Sequence, residues 1–117
     1  MTVGEKQELF SLLWGNFILW CASRGIRIRQ RELWRTKEQA ELYAAQGKGI
    51  KNSLHTIGLA IDAYFSIDGK VTFDPKDYEE AGRYWESLHP LCRAGVFFKG
   101  KVSRDAGHFS ISNRGIK

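Results

Sequence analysis

Apolar residues recur at every third or fourth position along the first 24 residues of the chain. This spacing matches one face of an α-helix and predicts a helix over residues 4–24, ended by Gly25. The stripe consists of Leu9, Leu12, Leu13, Phe17, Trp20 and Cys21. Together with the neighbouring Phe10 and Trp14, it is interpreted as part of the hydrophobic core.

After Gly25 the apolar period changes from about four residues to two. In IRIRQRELW, isoleucines alternate with Arg27, Arg29 and Arg31, which predicts a strand with a basic outer face. The arginines are interpreted as a solvated face, and attraction to an anionic polymer is the functional alternative. Thr36, with Gln39 three positions later, fits a capping box and predicts a second helix, KEQAELYAAQ.

The centre of the chain predicts a β-hairpin. GLAIDAYFSI, residues 58–67, is a strand pattern, and Asp68-Gly69 is a turn signal that precedes the return strand KVTF. The segment is unusual because one carboxylate, Asp62, interrupts an otherwise apolar run. Strand alternation places Asp62 and Tyr64 on the face opposite to Ile61. Periodicity leaves two interpretations of Asp62 open: a solvent-exposed sheet face, or a buried carboxylate that needs a cation.

The remaining elements complete an α+β pattern. Pro75 opens a third helix, DYEEAGRYWESLH, and GVFFKGKV and GHFSIS follow as two short strands. Strands pair locally and do not alternate with helices as in a parallel sheet. The predicted fold class is therefore α+β, with a small antiparallel sheet flanked by about three helices.

Composition restricts the class of protein only slightly. The 117 residues predict a single domain, 1–117, and the formal net charge of +5 suits nucleic acid, anionic lipid or an anionic wall polymer without choosing among them. Cys21 and Cys92 lack the spacing of a metal or redox pair and are predicted to be buried free thiols, which fits a reducing cytoplasm. The N-terminus MTVGEKQELF lacks the features of a signal peptide, and no segment predicts stable membrane insertion.

Candidate chemistry concentrates on two histidines and two aspartates. His55 lies seven residues before Asp62, and Asp105 lies three residues before His108. His55, Asp62 and His108 together would form two imidazoles and one carboxylate, a ligand set typical of catalytic zinc with an open fourth position. Asp105 is then the candidate general base. The third histidine, His89, is interpreted as a capping or surface residue.

Three motifs in the right order resemble one enzyme family. SLHTIGLAID matches the signature S-x-H-x-x-G-x-A-x-D of the zinc D-alanyl-D-alanine carboxypeptidases and L-alanyl-D-glutamate endopeptidases of peptidoglycan. DAGHF resembles the second signature of the family, an acidic residue followed after two positions by His-Phe, and RTKEQAELY resembles its upstream segment. The resemblance covers residues from about 33 to 111. It implies a hedgehog/D,D-peptidase-like fold with a zinc site at the sheet.

The resemblance also implies roles for individual residues. His55, Asp62 and His108 are expected to bind one zinc ion. Asp105 is expected to be the general base and then the acid that protonates the leaving amine, and Arg35 is expected to stabilise the oxyanion.

Three further residues are expected near the substrate. The resemblance implies that Ser53 helps to position the substrate. Gln39 could contact substrate or equally support the segment of Arg35, and Tyr64 is a candidate because it shares the face of Asp62.

The expected activity is hydrolysis of peptidoglycan stem peptides, most like that of single-domain bacteriophage endolysins. The expected bond is L-alanyl-D-glutamate; D,D- or L,D-carboxypeptidase activity and a zinc-stabilised cell-wall-binding domain without catalysis are the alternatives. The resemblance further implies a monomer that lacks a separate wall-binding domain and accumulates in the host cytoplasm before release to the wall. Nucleic acid is not an expected partner, because no recognition motif accompanies the positive charge.

Overall fold

A computed structural model describes residues 1–48, 53–99 and 105–117. Its helices are α1 (Val3–Ser23), α2 (Lys37–Ala45) and α3 (Lys76–Leu88). Its strands are β1 (Ile26–Glu32), β2 (Ala60–Ile67), β3 (Lys70–Thr72), β4 (Cys92–Ala94) and β5 (His108–Ile111). Single 3₁₀ turns cover Leu54–Ile57 and Gly95–Phe97. The predicted α+β class, with three helices and a small antiparallel sheet in the described part, is confirmed.

The sheet is antiparallel, and β2 lies at its centre. The strand order is β1-β2-β5-β4, with β3 paired to the far half of β2. Asp68 and Gly69 both have positive φ, 51° and 78°, as a tight hairpin between β2 and β3 requires. In the near half of β2, Asp62 faces Glu32 on β1 and His108 on β5. This register brings three distant parts of the chain to one point of the sheet.

One face of the sheet is covered by α1 and α3, which pack against each other and against the strands. Aromatic side chains fill this layer: the rings of Phe17 and Phe109 lie 4.8 Å apart, and Trp85 meets Phe17 edge to face at 5.5 Å. Trp85 also donates its indole N–H to the backbone oxygens of Arg93 and Ser110. The helix layer therefore ties β4 to β5 through a buried polar contact as well as through apolar packing.

The predicted core stripe of α1 is correct except at one position. Phe10, Leu13, Trp14, Phe17 and Cys21 are buried, but Leu12 is 72% exposed because it projects from the opposite side of the helix. Trp20 is half-buried and stacks on Tyr84.

Both cysteines are free and buried, as expected. Burial raises the pKa of the Cys21 and Cys92 thiols to about 12. The thiols therefore stay protonated at neutral pH and behave as small apolar core groups.

The prediction of a strand over GVFFKGKV is wrong in the described part of that segment. The strand lies earlier, at Cys92–Ala94, and Gly95–Phe97 forms a 3₁₀ turn, while residues 100–102 lie outside the described residues. The apolar side chains of this turn pack against α3, where a Cβ on Gly82 would come within 2.8 Å of Val96. Packing against a helix, and not strand pairing, therefore explains this apolar run.

None of the described helices combines the length and the apolar character that crossing a bilayer requires.

We predict that Trp85→Phe lowers the free energy of unfolding by about 3 kcal/mol, because two buried carbonyl oxygens lose their indole donor. Urea unfolding followed by far-UV circular dichroism measures the change. Leu19→Ala is the control: Leu19 is 71% exposed, so a change below about 0.5 kcal/mol is expected. Equal stabilities of Trp85→Phe and the parent would contradict the structural role of the indole.

Candidate metal centre

A short 3₁₀ turn fixes the first histidine. Ser53 caps this turn, and its hydroxyl accepts a hydrogen bond from the backbone N–H of His55 at 3.2 Å. Gly58 ends the turn with φ 65°, and its Cα lies against the Trp34 ring, where a Cβ would come within 2.6 Å. The position therefore requires glycine for both conformation and space.

The orientation of the His55 ring leaves one nitrogen available as a ligand. Nδ1 lies 2.9 Å from the backbone oxygen of Leu33. A carbonyl oxygen can only accept a hydrogen bond, so Nδ1 carries the proton and donates. Nε2 is then the unprotonated nitrogen, and it faces Asp62 Oδ2 at 3.3 Å. A backbone acceptor that selects the tautomer in this way is typical of histidine ligands of metals.

Asp62 stands between two imidazoles. His108 on the neighbouring strand β5 places Nδ1 3.5 Å from Oδ1, while His55 approaches Oδ2. One ligand atom from each of the three residues lies within 4.8 Å of the others. Both histidines are buried and Asp62 is half-buried, so protein covers most of the cluster. The structure thus brings together the three predicted ligands.

The donor set fits a metal ion of the zinc type. Asp62 Oδ1 is buried and has no hydrogen-bond partner among the described residues, so a bound cation would satisfy it. Burial raises the pKa of the Asp62 carboxyl, but the adjacent His108 and His55 outweigh this and hold the pKa well below its usual range. Ligands bound tetrahedrally at about 2.1 Å lie roughly 3.4 Å apart, close to the two imidazole–carboxylate distances.

Arg35 is the cation nearest to this cluster in the described part of the chain, and its guanidinium is held on several sides. Nε donates to Glu32 Oε1 at 2.7 Å, Nη2 donates to the same oxygen, and Nη1 lies 3.4 Å from the Ser53 hydroxyl. The guanidinium stacks over the Tyr43 ring, and Nη2 is 3.8 Å from Asp62 Oδ2. With its side chain 10% exposed, Arg35 is a fixed positive charge beside the ligand cluster.

Asp105 lies at the edge of the cluster, and its backbone is anchored on both sides. Its N–H donates to the oxygen of Gly95 at 3.1 Å, and its own oxygen accepts from His108 N at 3.0 Å. A Cβ on Gly95 would lie 2.0 Å from the Asp105 oxygen, so this approach requires glycine. The anchoring fixes the distance between Asp105 and the ligand His108.

The charges of the cluster also affect the pKa of the Asp105 carboxyl. The residue is exposed to solvent on one side, while protein surrounds the carboxyl on the other. This partial burial, followed by repulsion from Asp62, raises the carboxyl pKa against the opposing effects of His108, His55 and Arg35. A raised pKa suits a group that must accept and release a proton.

The other predicted residues have mixed positions. Ser53 contacts both His55 and Arg35, so it organises the cluster whether or not it also meets substrate. Tyr64 lies on the face of Asp62, and its hydroxyl accepts from Arg31. Gln39 lies in the first turn of α2, where its backbone N–H donates to the hydroxyl of the N-cap Thr36, and the described residues show no contact between the Gln39 side chain and the cluster.

The sequence analysis assigned no role to two residues of this site. Glu32 and Tyr43 both hold Arg35, but Glu32 belongs to the alternating basic strand and Tyr43 to a helix pattern. The spacing of Glu32 three residues before Arg35 was the available signal. His89 lies outside the cluster at the end of α3, where its Nδ1 accepts from Leu91 N, as its interpretation as a local cap suggested.

Fold and site define a small α+β protein with a His–Asp–His cluster at the centre of an antiparallel sheet. The fold is similar to that of the L-Ala D-Glu endopeptidase ChiX of Serratia marcescens, with a TM-score of 0.62 and 18% sequence identity over 74% of this chain and 68% of that one. This likeness shows the fold. No protein-family model and no curated protein matches the chain.

We predict that the chain binds one divalent ion and that His108→Ala weakens the binding by about 100-fold or more, because a ligand is lost outright. Titration with Zn²⁺ or Co²⁺ in a competing chelator measures the affinity. His89→Ala is the matched control, since it removes a histidine outside the cluster and should leave the affinity unchanged. Equal metal affinity in both variants would place the site elsewhere.

Proposed function

We propose that this protein is a zinc metallopeptidase that hydrolyses the stem peptide of peptidoglycan at the L-alanyl-D-glutamate bond. The observation that carries the proposal is the cluster of His55, Asp62 and His108, flanked by Arg35 and Asp105. Metal binding alone would need neither flanking group. The fold shared with an L-Ala D-Glu endopeptidase supports the choice of substrate.

His55, Asp62 and His108 would hold the zinc ion in this mechanism. Zinc at such a site supplies a water of lowered pKa and polarises a carbonyl group. Asp105 accepts a proton from the attacking water while the water oxygen bonds to the amide carbon. The carbon–nitrogen bond then breaks, and Asp105 delivers the proton to the leaving nitrogen.

Arg35 supplies the fixed positive charge of the proposed mechanism. Negative charge develops on the carbonyl oxygen during attack, and a preorganised guanidinium stabilises it without rearrangement. Glu32 and Tyr43 hold the guanidinium in place before the substrate arrives. We assign Glu32 the role of a positioning residue, because it acts through Arg35.

The biological setting is also part of the proposal. We propose a phage endolysin, a monomer that is made in the host cytoplasm and acts on the wall after release. The three sequence motifs support this setting, and the net charge of +5 favours approach to an anionic wall.

Digestion of purified muropeptides, followed by mass spectrometry, tests the proposed activity. Products separated between L-alanine and D-glutamate support it, and release of a terminal D-alanine alone would identify a carboxypeptidase. Absence of any product from the zinc-loaded protein would favour a binding domain.

Asp105→Asn should reduce turnover in this assay by about 100-fold or more while metal affinity stays near that of the parent, because the variant loses the proton acceptor and keeps the three ligands. Near-normal turnover in Asp105→Asn would assign the base to another group.

We predict that Glu32→Gln lowers kcat about tenfold without loss of metal, because Arg35 loses its carboxylate partner and no longer holds one orientation. Steady-state kinetics on a soluble muropeptide, with metal content measured in the same preparation, checks this. Glu41→Gln is the control, since Glu41 is exposed on α2. An unchanged kcat in Glu32→Gln would remove the positioning role.

A further inference from the structure

The outer face of the sheet carries a group of basic and aromatic side chains beside the metal centre. We call this group the cationic strip and define it as Arg29, Arg31, Tyr64 and Phe73. The Arg31 guanidinium lies 4.7 Å from the centre of the Tyr64 ring and donates to the Tyr64 hydroxyl. Phe73 meets Tyr64 edge to face at 4.9 Å and is 67% exposed.

Strand register makes the strip continuous with the cluster. Tyr64 is two residues beyond Asp62 on the same face of β2, which corresponds to roughly 7 Å along the strand. Arg29 is the cross-strand partner of Tyr64, just as Glu32 is the partner of Asp62. The register shifts between Gln30 and Glu32, so Arg31 is an extra residue on β1. This bulge allows the side chains of Arg29 and Arg31 to lie on the same face of the sheet.

The positive charge of the strip is not neutralised within the described structure. No carboxylate of the described residues lies within 4.0 Å of the Arg29 or Arg31 guanidinium. Glu32, the nearest acid along β1, is already bound to Arg35. Arg27, on the same strand, is different, because its guanidinium donates to the backbone oxygen of Ala22. The strip therefore offers two cations whose charges remain available to a ligand.

We propose that the cationic strip is the subsite for the leaving side of the substrate and binds the free carboxylate of the residue that follows the scissile bond. This inference rests on the proposed function. Glutamate has two carboxyl groups, and a peptide chain continues through only one of them, so one carboxylate remains free directly after an L-alanyl-D-glutamate bond. The strip begins roughly 7 Å along β2 from Asp62, and its long arginine side chains can reach the residue bound next to the metal centre.

The aromatic members give the strip its specificity. Arg31 is held against Tyr64 by stacking and by a hydrogen bond, so its guanidinium is partly ordered before a ligand binds. Phe73 leaves an apolar surface beside the two cations, against which the aliphatic part of the next residue can pack. The two cations and the adjacent apolar surface together fit an extended peptide with an acidic residue.

The test uses two soluble peptides, N-acetyl-L-Ala-D-Glu-L-Lys with the free D-glutamate carboxylate, and the same peptide with that carboxylate as an amide. For the zinc-loaded protein, kcat/KM should be about five to ten times higher for the acid than for the amide, because the acid has the lower KM. Arg29→Gln and Arg31→Gln should each reduce this preference to about twofold or less. Arg83→Gln is the matched control, because it removes an exposed arginine on α3, which covers the other face of the sheet, and should leave the preference unchanged.

A binding measurement separates failure of the subsite from failure of the proposed function. Calorimetry with the fragment D-Glu-L-Lys and its amide reports on the strip without requiring cleavage. Acid-selective binding that depends on Arg29 supports the strip even if no peptide is cleaved, in which case the peptidase function fails alone. Cleavage with no preference for the acid, or a preference unchanged by both substitutions, overturns the strip and leaves the peptidase intact. Loss of polyphosphate binding in Arg29→Gln with unchanged fragment binding also overturns it, in favour of docking to an anionic polymer.

Discussion

The Asp62 carboxylate between two imidazoles is the interaction on which the rest of the structure depends. A half-buried carboxylate with one orphaned oxygen is costly in an apolar strand unless a cation satisfies it. The two imidazole nitrogens face the carboxylate oxygens at 3.3 and 3.5 Å, a spacing that fits an ion bound between them. The fold therefore retains a polar group at its centre that apolar packing alone would exclude.

The surrounding layers keep this arrangement rigid. On the core side, Trp85 links the backbones of β4 and β5, and β5 carries the ligand His108. On the site side, Gly107 lies directly against β2, where a Cβ would come within 2.3 Å of the Ala63 oxygen, and its own oxygen accepts from Ala63 N. Close backbone contact thus sets the spacing between the segment of Asp105 and the strand of Asp62. A metal site needs ligands placed to within a few tenths of an ångström, and backbone contacts provide this better than long side chains.

Charge is distributed unevenly over the sheet face. The carboxylates of Asp62 and Glu32 lie at one end with Arg35 between them, and Arg29 and Arg31, which have no carboxylate partner among the described residues, lie further along β1. The face therefore carries the His–Asp–His cluster at one end and a cationic surface next to it.

Periodicity and turn chemistry determined most of the fold from the sequence. Local patterns predicted the helix of residues 4–24, the hairpin at Asp68-Gly69 and the α+β class. The structure contains all three features, with the helix at Val3–Ser23. The run GVFFKGKV was misassigned because an apolar segment can be buried against a helix as well as in a sheet, and spacing does not distinguish the two cases. The motifs also identified His55, Asp62 and His108 as candidate ligands. Only the tertiary structure decided that these side chains meet, because strand register, and not sequence spacing, places His108 beside Asp62. The same holds for the bulge at Arg31, since cross-strand pairing is a long-range property that no local pattern encodes.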